Sequence, residues 1–492
     1  MTTRRLATLL VLFCAALGVA VVAAFGAGSA NAGAGDRAKG ATAVPADAIA
    51  YASVSLDRGG APFQALEGLA AKVDGGAAAV KRLNGMLDGD TRQAQVVRAL
   101  GGDVSVGLVG VDVASLTSGG MPQASAVIVA TAADGNALPG VLQDAGFSAG
   151  PALDGTPVWE KGAMAIAVDG STAIGATSRA TLADALAVQA GQQPALADDP
   201  AFRATIAKLP GNAVAVAYIA PARIAPLAKA AGGLLPKDMK LPGGAQSLTR
   251  LAADLQDVRG LGIAVTAEQG GLRVIAAGDA DTAALEKLGA RFPTAYAPTL
   301  ADRVPAGALG FAAFRDLGPT LLAAADGAQA RDPQAKDLIA AIEDQTGVTL
   351  PGLAAALGGE HAVYATTSGA TLLTQPQDAS GANMALSNAL VAARGLAKDA
   401  GKDLKAIGLE QDGGTLAIGT LPGAAKAPAA SITGTDAYQA LRARAGVPDA
   451  VTGLVYVSPD AMRASGRPAA KAFGGAIGWG TDTGAELFIA IG

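Results

Sequence analysis

Val44-Pro45-Ala46-Asp47-Ala48-Ile49-Ala50-Tyr51 and Val304-Pro305-Ala306-Gly307-Ala308-Leu309-Gly310-Phe311 are two versions of one phrase, set 260 residues apart. In each, a Pro restricts a short turn, an apolar run suited to a buried strand follows, and an aromatic stands six places beyond the Pro. An Ala-Leu-Gly-Gly step then leads into another strand, at Leu100 before DVSVGLVGV and at Leu357 before EHAVYATT. The Pro-to-Leu separations are 55 and 52 residues. A second phrase also recurs: Leu209-Pro210 leads to VAYIAP, and Val447-Pro448 leads to LVYVSP. Pro-to-Tyr spacing is eight residues in both, ending on Tyr218 and Tyr456, and Phe202 and Tyr438 hold similar places in the helices upstream. The order first, second, first, second is the pattern of a duplicated chain.

Working outward, strands are expected at 49–56, 104–109, 126–131, 163–168 and 213–219, each bounded by Gly, Pro or Asp. Helices are expected at 63–80, 136–145, 180–190, 200–209 and 222–227, where leucines recur every three or four places. Asp169-Gly170 is a two-residue hairpin signal. The central segment 258–277 reads as a long hairpin resembling the later pair 406–409 and 415–418, and a last hairpin joins 477–479 to 486–491. Hairpins mixed with amphipathic helices predict an α+β fold: duplicated units of antiparallel sheet with packed helices, rather than a doubly wound parallel sheet. Ten Phe, six Tyr and two Trp among 492 residues leave the cores to Ala, Val, Leu and Ile, so sheets and helices are expected to approach closely.

The amino end reads as an export element. Arg4 and Arg5 precede Leu6–Gly28, 23 residues without a charge. As a helix these span roughly 34 Å, against a bilayer core of about 30 Å. The flanking arginines place the rest of the chain outside the cytoplasmic membrane. Two readings stand. The helix is retained as a single-pass anchor through residues 6–28, or Ala30-Asn31-Ala32 is a cleavage pattern that releases a soluble chain after Ala32. Leu12-Phe13-Cys14 lacks the small residue expected before a lipidated Cys, so lipid attachment at Cys14 is not expected. The resulting plan is a signal or transmembrane segment at 1–32, a Gly/Ala-rich flexible linker at 33–43, a first α+β half at 44–250 and a second at 251–492.

The segments VPADAIAYASVSLD (44–57), LGGDVSVGLVG (100–110), VRGLGIAVTAEQGGLRVIAAGD (258–279), VPAGALGFAAFRD (304–316) and AELFIAIG (485–492) resemble the bacterial family known as domain of unknown function 3352. The resemblance runs from Val44 to Gly492. It implies an exported or membrane-anchored protein of mixed α/β structure, and it brings no established activity and no catalytic residue. Gln375–Asn383 and Lys402–Lys405 depart from the pattern.

Chemical motifs are sparse. A single Cys rules out an intrachain disulfide, and a single His rules out a His-cluster metal site. No Walker loop, dinucleotide fingerprint or nucleophile elbow is present, so neither a cofactor nor a metal is expected and no catalytic residue is assigned. Net charge is −5, and no basic surface interleaved with aromatics is legible, which argues against a nucleic-acid partner. His361 reads as a structural histidine at a strand start, beside Glu360. Asp88-Gly89-Asp90 reads as an exposed turn, and Asp198-Asp199-Pro200 as a helix cap. Asp254, Asp257 and Arg259 form a polar group near the central hairpin. Trp159 and Trp479 are candidates to line a cleft between the halves, although ordinary packing explains them as well. These features favour an exported, membrane-anchored, noncatalytic binding or scaffold protein of the cell envelope. The alternatives are an envelope hydrolase using carboxylates or a divalent metal, and an apolar-ligand or lipid carrier. Its expected partners are the cytoplasmic membrane and an envelope protein or apolar ligand; the oligomeric state is left open.

Overall fold

The computed structural model describes residues 38–55, 61–72, 78, 99, 102–112, 123–132, 134–234, 256–268, 270–287, 293–331, 333–399, 403–464, 472–481 and 484–491. The segment 1–32, the pair Asp88 and Asp90, Leu100, and Asp254 lie outside these residues. The fold is α+β, and every strand pairing within either of its two compact units is antiparallel.

Unit 1 ends at Ala280. Its strands are β1 (Ala50–Ser55), β2 (Asp103–Asp112), β3 (Gln123–Thr131), β4 (Ser148–Leu153), β5 (Thr156–Lys161), β6 (Met164–Asp169), β7 (Thr172–Ala176), β8 (Ala215–Ile219), β9 (Val258–Glu268) and β10 (Gly271–Ala280). They lie in the order β4-β5-β6-β7-β3-β2-β1-β8-β9-β10. Unit 2 begins at Asp281. Its strands are β11 (Gly310–Arg315), β12 (Glu360–Thr366), β13 (Gly369–Gln375), β14 (Gly408–Asp412), β15 (Thr415–Gly419), β16 (Gly453–Val457), β17 (Phe473–Thr481) and β18 (Gly484–Ile491). Their order is β14-β15-β13-β12-β11-β16-β17-β18. The second order is the first with the β4–β5 edge hairpin removed.

Individual hydrogen bonds correspond as well. Pro45 bridges Ala195, and Pro305 bridges Ser431. Leu196 N donates to Val44 O and Ile432 N to Val304 O, both at 2.8 Å. Ala220 N donates to Ile49 O at 2.9 Å, and Ser458 N to Leu309 O at 2.8 Å. Tyr51 stands across from Tyr218 in register, as Phe311 does from Tyr456. Gly102 and Gly359 immediately precede β2 and β12 with φ of +99° and +96°, a conformation that is strained for a residue with a side chain.

Each core is an aromatic triad set in small side chains. Phe202 meets Tyr51 and Tyr218 edge-on, with centroids 5.5 and 5.0 Å away. Phe311, Tyr438 and Tyr456 make the corresponding group at 5.1 to 6.0 Å. Such pairs contribute beyond their buried area. Helix Pro200–Ile206 packs onto β9 where Gly260 and Gly262 admit it; a Cβ at Gly260 would lie 2.4 Å from Thr205 Oγ1. The close approach expected of a Gly-rich sheet is present there.

Three expectations need correction. Residues 39–43 are not tether: they form a 3-10 helix, and Ala41, Ala43 and Val44 are buried in the unit 1 core because small apolar side chains fit beneath the sheet. The units divide after Ala280 rather than after Arg250, since β9 pairs with β8 and β10 with β9. The central hairpin corresponds in strand order to β17–β18. The pair 406–418, seen as β14–β15, corresponds instead to β6–β7, and Gly413 and Gly170 turn these two hairpins with φ of +55° and +57°.

Candidate functional site

Unit 2 carries a cleft of about 370 Å³ between helix Leu350–Ala356 and helix Ala379–Asp399. Both helix starts are locally determined. Thr349 Oγ1 accepts from Gly352 N at 3.2 Å, with Pro351 in the first turn, and Asp378 Oδ1 accepts from Gly381 N at 3.0 Å. The walls are mainly apolar: Val348, Leu353, Ala356, Ala382, Met384 and Ala385, with Thr349, Asp378 and Asn388 as polar points. Beneath them Ala356, Leu357, Ala382, Leu386 and Leu416 form a buried cluster on the sheet face opposite the aromatic core. Met384, at 68% exposure, stands over the opening. An apolar cleft with a few polar points is the usual form of a small-molecule site. A second cleft, of about 320 Å³, is more polar, and several of its polar groups are already engaged: Thr433 Oγ1 donates to Asp302 at 2.6 Å within it, and Arg442 on its wall pairs with Asp449 at 2.9 Å.

Two buried titratable groups of unit 2, Glu360 and His361, stand at the start of β12. Glu360 accepts from Thr299 Oγ1 at 2.6 Å and from Leu300 N at 2.7 Å, so its carboxylate caps the 3-10 helix Leu300–Arg303. Burial pushes this carboxyl up from its ordinary range, opposed by those hydrogen bonds and by Arg315. His361 is fully buried, stacked on Phe314 at 5.4 Å, with Nε2 2.8 Å from Leu357 O. Because the partner is a carbonyl, Nε2 carries the proton and donates. Nδ1 has no partner among the described residues, nor does the Thr374 hydroxyl, directly across from His361 in register. Desolvation holds the imidazole below its usual range. Glu360 and His361 are neighbours on a strand and therefore face opposite sides of the sheet, so they do not form an acid–base pair. Tyr296, beneath the Arg315 guanidinium at 5.3 Å, is held protonated by burial and by Glu360.

The remaining candidates fall in structural positions. Asp199 accepts from Phe202 N at 2.8 Å as helix cap and pairs with Arg223. Arg259 pairs with Asp279 at 3.1 Å rather than with Asp257. Trp159 and Trp479 are each buried in the packing of their own unit, in separate clusters. Among the described residues no group of three or more His, Cys, Asp or Glu could hold a metal ion, and no helix is long and apolar enough to cross a membrane.

No family model matches the chain, and no curated protein matches it. Solved structures of TP0453 show a slight likeness. Crystal form I is 9% identical with a TM-score of 0.27, covering 49% of this chain and 79% of that one. Crystal form IV is 10% identical with a TM-score of 0.25, covering 48% and 79%. Crystal form III is 11% identical with a TM-score of 0.25, covering 48% and 78%. At these scores the likeness defines neither fold nor site.

Proposed function

We propose that this is an exported, membrane-anchored, noncatalytic binding protein of the bacterial cell envelope, similar to the family of domain of unknown function 3352, that holds an apolar ligand. The mainly apolar cleft between helices Leu350–Ala356 and Ala379–Asp399 is the observation that carries the binding reading. The uncharged run Leu6–Gly28 behind Arg4 and Arg5 supports the anchor. We infer further that the two units are copies of one duplicated fold, because strand order, proline bridges and aromatic triads correspond position by position.

Ala385 lines the cleft, so Ala385→Trp fills it. Full chain isolated from envelope membranes without denaturation should yield an apolar molecule on organic extraction, and the A385W chain should yield several-fold less. Identical extracts from the two would remove the binding reading. A reporter fused after Gly35 should face outside the cytoplasmic membrane. A cytoplasmic reporter would overturn the orientation, and a soluble product starting at Gly33 would replace the anchor with cleavage.

A further inference from the structure

The second cleft of unit 2 is walled by helix Asp436–Ala445, the 3-10 helices Leu300–Arg303 and Ile432–Gly434, and the segment that follows Gly446. Its internal bonds leave three groups uncommitted. Tyr438 lines it while only 2% exposed, its ring fixed in the core against Phe311 and Tyr456. Among the described residues the Tyr438 hydroxyl makes no hydrogen bond. Arg442 turns Nη2 to Asp449 Oδ1 at 2.9 Å and to Pro448 O at 3.5 Å, and its Nε and Nη1 donate to no described residue. Asp302 accepts from Thr433 on Oδ1, and its Oδ2 accepts from no described residue. Burial raises the Tyr438 pKa; Arg442 opposes the rise and Asp302 adds to it, so both charges reach the phenol.

Unit 1 shows that the fold does not require this set. Where unit 2 has Asp302, Ser431, Thr433, Tyr438 and Arg442, unit 1 has Thr42, Ala195, Ala197, Phe202 and Ile206. Phe202 and Ile206 are simply buried in the core there, and the lone hydroxyl, on Thr42, donates to Lys39 O at 2.8 Å. A cation, an anion and an unpartnered phenol have replaced apolar packing around one cleft.

We infer that this cleft binds a small zwitterion of the amino-acid or short-peptide type, its carboxylate on Arg442 and Tyr438 and its ammonium on Asp302. The guanidinium offers two parallel N–H groups, the fork that a carboxylate accepts. An anion without the ammonium would meet Asp302, and a cation without the carboxylate would meet Arg442. A purely apolar guest would bury all three groups unpaired, which is costly. Val447, Val451 and Leu454 supply an apolar wall for the body of the ligand, and about 320 Å³ is the lower end of small-molecule sites. Asp449, the present partner of Arg442, is fully exposed, and such ion pairs contribute little, so a carboxylate in the cleft can replace it. The site shares no wall residue with the apolar cleft proposed above, and it stands independently of that reading.

Isothermal titration of the full chain in detergent with leucine and with leucyl-leucine should show saturable binding of at least one. Isocaproate, which lacks the ammonium, and isoamylamine, which lacks the carboxylate, should each bind at least about tenfold more weakly. Arg442→Gln should weaken the zwitterion by a similar factor and Tyr438→Phe severalfold. Asp302→Asn should weaken the zwitterion while narrowing its advantage over isocaproate. Asp449→Asn removes only the exposed competitor and should tighten binding severalfold, a gain that a misfolded chain cannot give. Ala385→Trp, in the other cleft, should change nothing. Absence of saturable binding by both zwitterions, equal binding of isocaproate, or weaker binding in D449N would overturn the assignment. Loss of binding in A385W would move the zwitterion to the first cleft and equally overturn it. None of these outcomes alters the organic extract of the full chain, so the two sites fail separately.

Discussion

Set side by side, the cores of the two units solve one packing problem with different chemistry. In unit 1, Tyr51 Oη donates to Ser105 Oγ at 2.9 Å, and Ser105 donates to Ser53 Oγ at 3.0 Å, all three buried. The corresponding positions in unit 2 are Phe311, Ala362 and Ala313. All three hydroxyls are absent together. Gly40 precedes this group in unit 1, and a Cβ there would lie 2.3 Å from Ser105 Oγ; unit 2 has Leu300 at that place, fully buried. The exchange shows that a buried hydroxyl is kept or lost with its partners and with the volume beside it. A lone member would leave an unsatisfied polar group. Burial also pushes the Tyr51 phenol up to about 12, so the relay stays protonated throughout the ordinary pH range.

The largest expected effect tests whether the triads are equivalent. Phe202→Ala and Tyr438→Ala should each destabilise the chain by about 3–5 kcal/mol, read as a lowered denaturant midpoint. A loss near zero in one and a full loss in the other would break the correspondence. Next is the hydroxyl relay. Ser105→Ala alone should cost about 1–3 kcal/mol, because it removes a buried hydrogen-bond partner of both Tyr51 and Ser53. The triple change Y51F/S53A/S105A, which installs the unit 2 chemistry, should cost less than the single one. If the triple is the worst of the set, the relay is not a unit.

Much of this architecture was legible because the signals are local and repeated. The Pro turns, the aromatic spacing and Asp169-Gly170 fix backbone geometry within a few residues, and each is found in place. The β4–β5 hairpin was missed although Asp154-Gly155 marks its turn, with φ of +46° and +82°. Its first strand, SAGPAL, is short of branched side chains and contains Pro151, which an edge strand tolerates. The cleft was not legible, because its walls are ordinary helix residues whose chemistry says nothing until two helices are placed together. The Glu360 cap was hidden for a similar reason: its partners, Thr299 and Leu300, lie 61 and 60 residues earlier in the chain.

The helix caps sharpen the comparison at smaller scale. Thr435 Oγ1 accepts from Tyr438 N at 3.3 Å, as Asp199 Oδ1 accepts from Phe202 N at 2.8 Å. Asp199 also holds Arg223, whose other nitrogen donates to Ala48 O at 2.7 Å. Asp199→Ala should therefore cost about 2 kcal/mol and Thr435→Ala about 1 kcal/mol. Equal losses would mean that the Arg223 pair contributes nothing.

The smallest effect concerns a pair at which the units differ in polarity. His361 and Thr374 face each other in unit 2, where unit 1 has Val104 and Ala130. Burial lowers the His361 pKa below its usual value of 6.5. The unfolded chain then binds more protons than the folded one as pH falls through 6.5, so stability drops below that pH and levels off only beneath the folded pKa. Among the described residues, a proton arriving on Nδ1 would find no hydrogen-bond partner. Glu360 lies on the other face, Asp316 acts only through the field, and the uncharged Thr374 hydroxyl is the cross-strand neighbour. Glu360 has the opposite sign: its raised pKa favours the folded state below 4.5, and that advantage is lost as pH rises through the folded value. H361V/T374A, which transplants the unit 1 pair, should thus remove a slope of at most about 1.4 kcal/mol per pH unit just below 6.5. It should leave the Glu360 response in place, and stability at pH 7.5 should change little. Denaturant titrations at half-unit intervals from pH 7.5 to 4.5 would measure this. An unchanged slope in the variant would show that His361 stays neutral in the unfolded chain as well, or reaches solvent in the folded one.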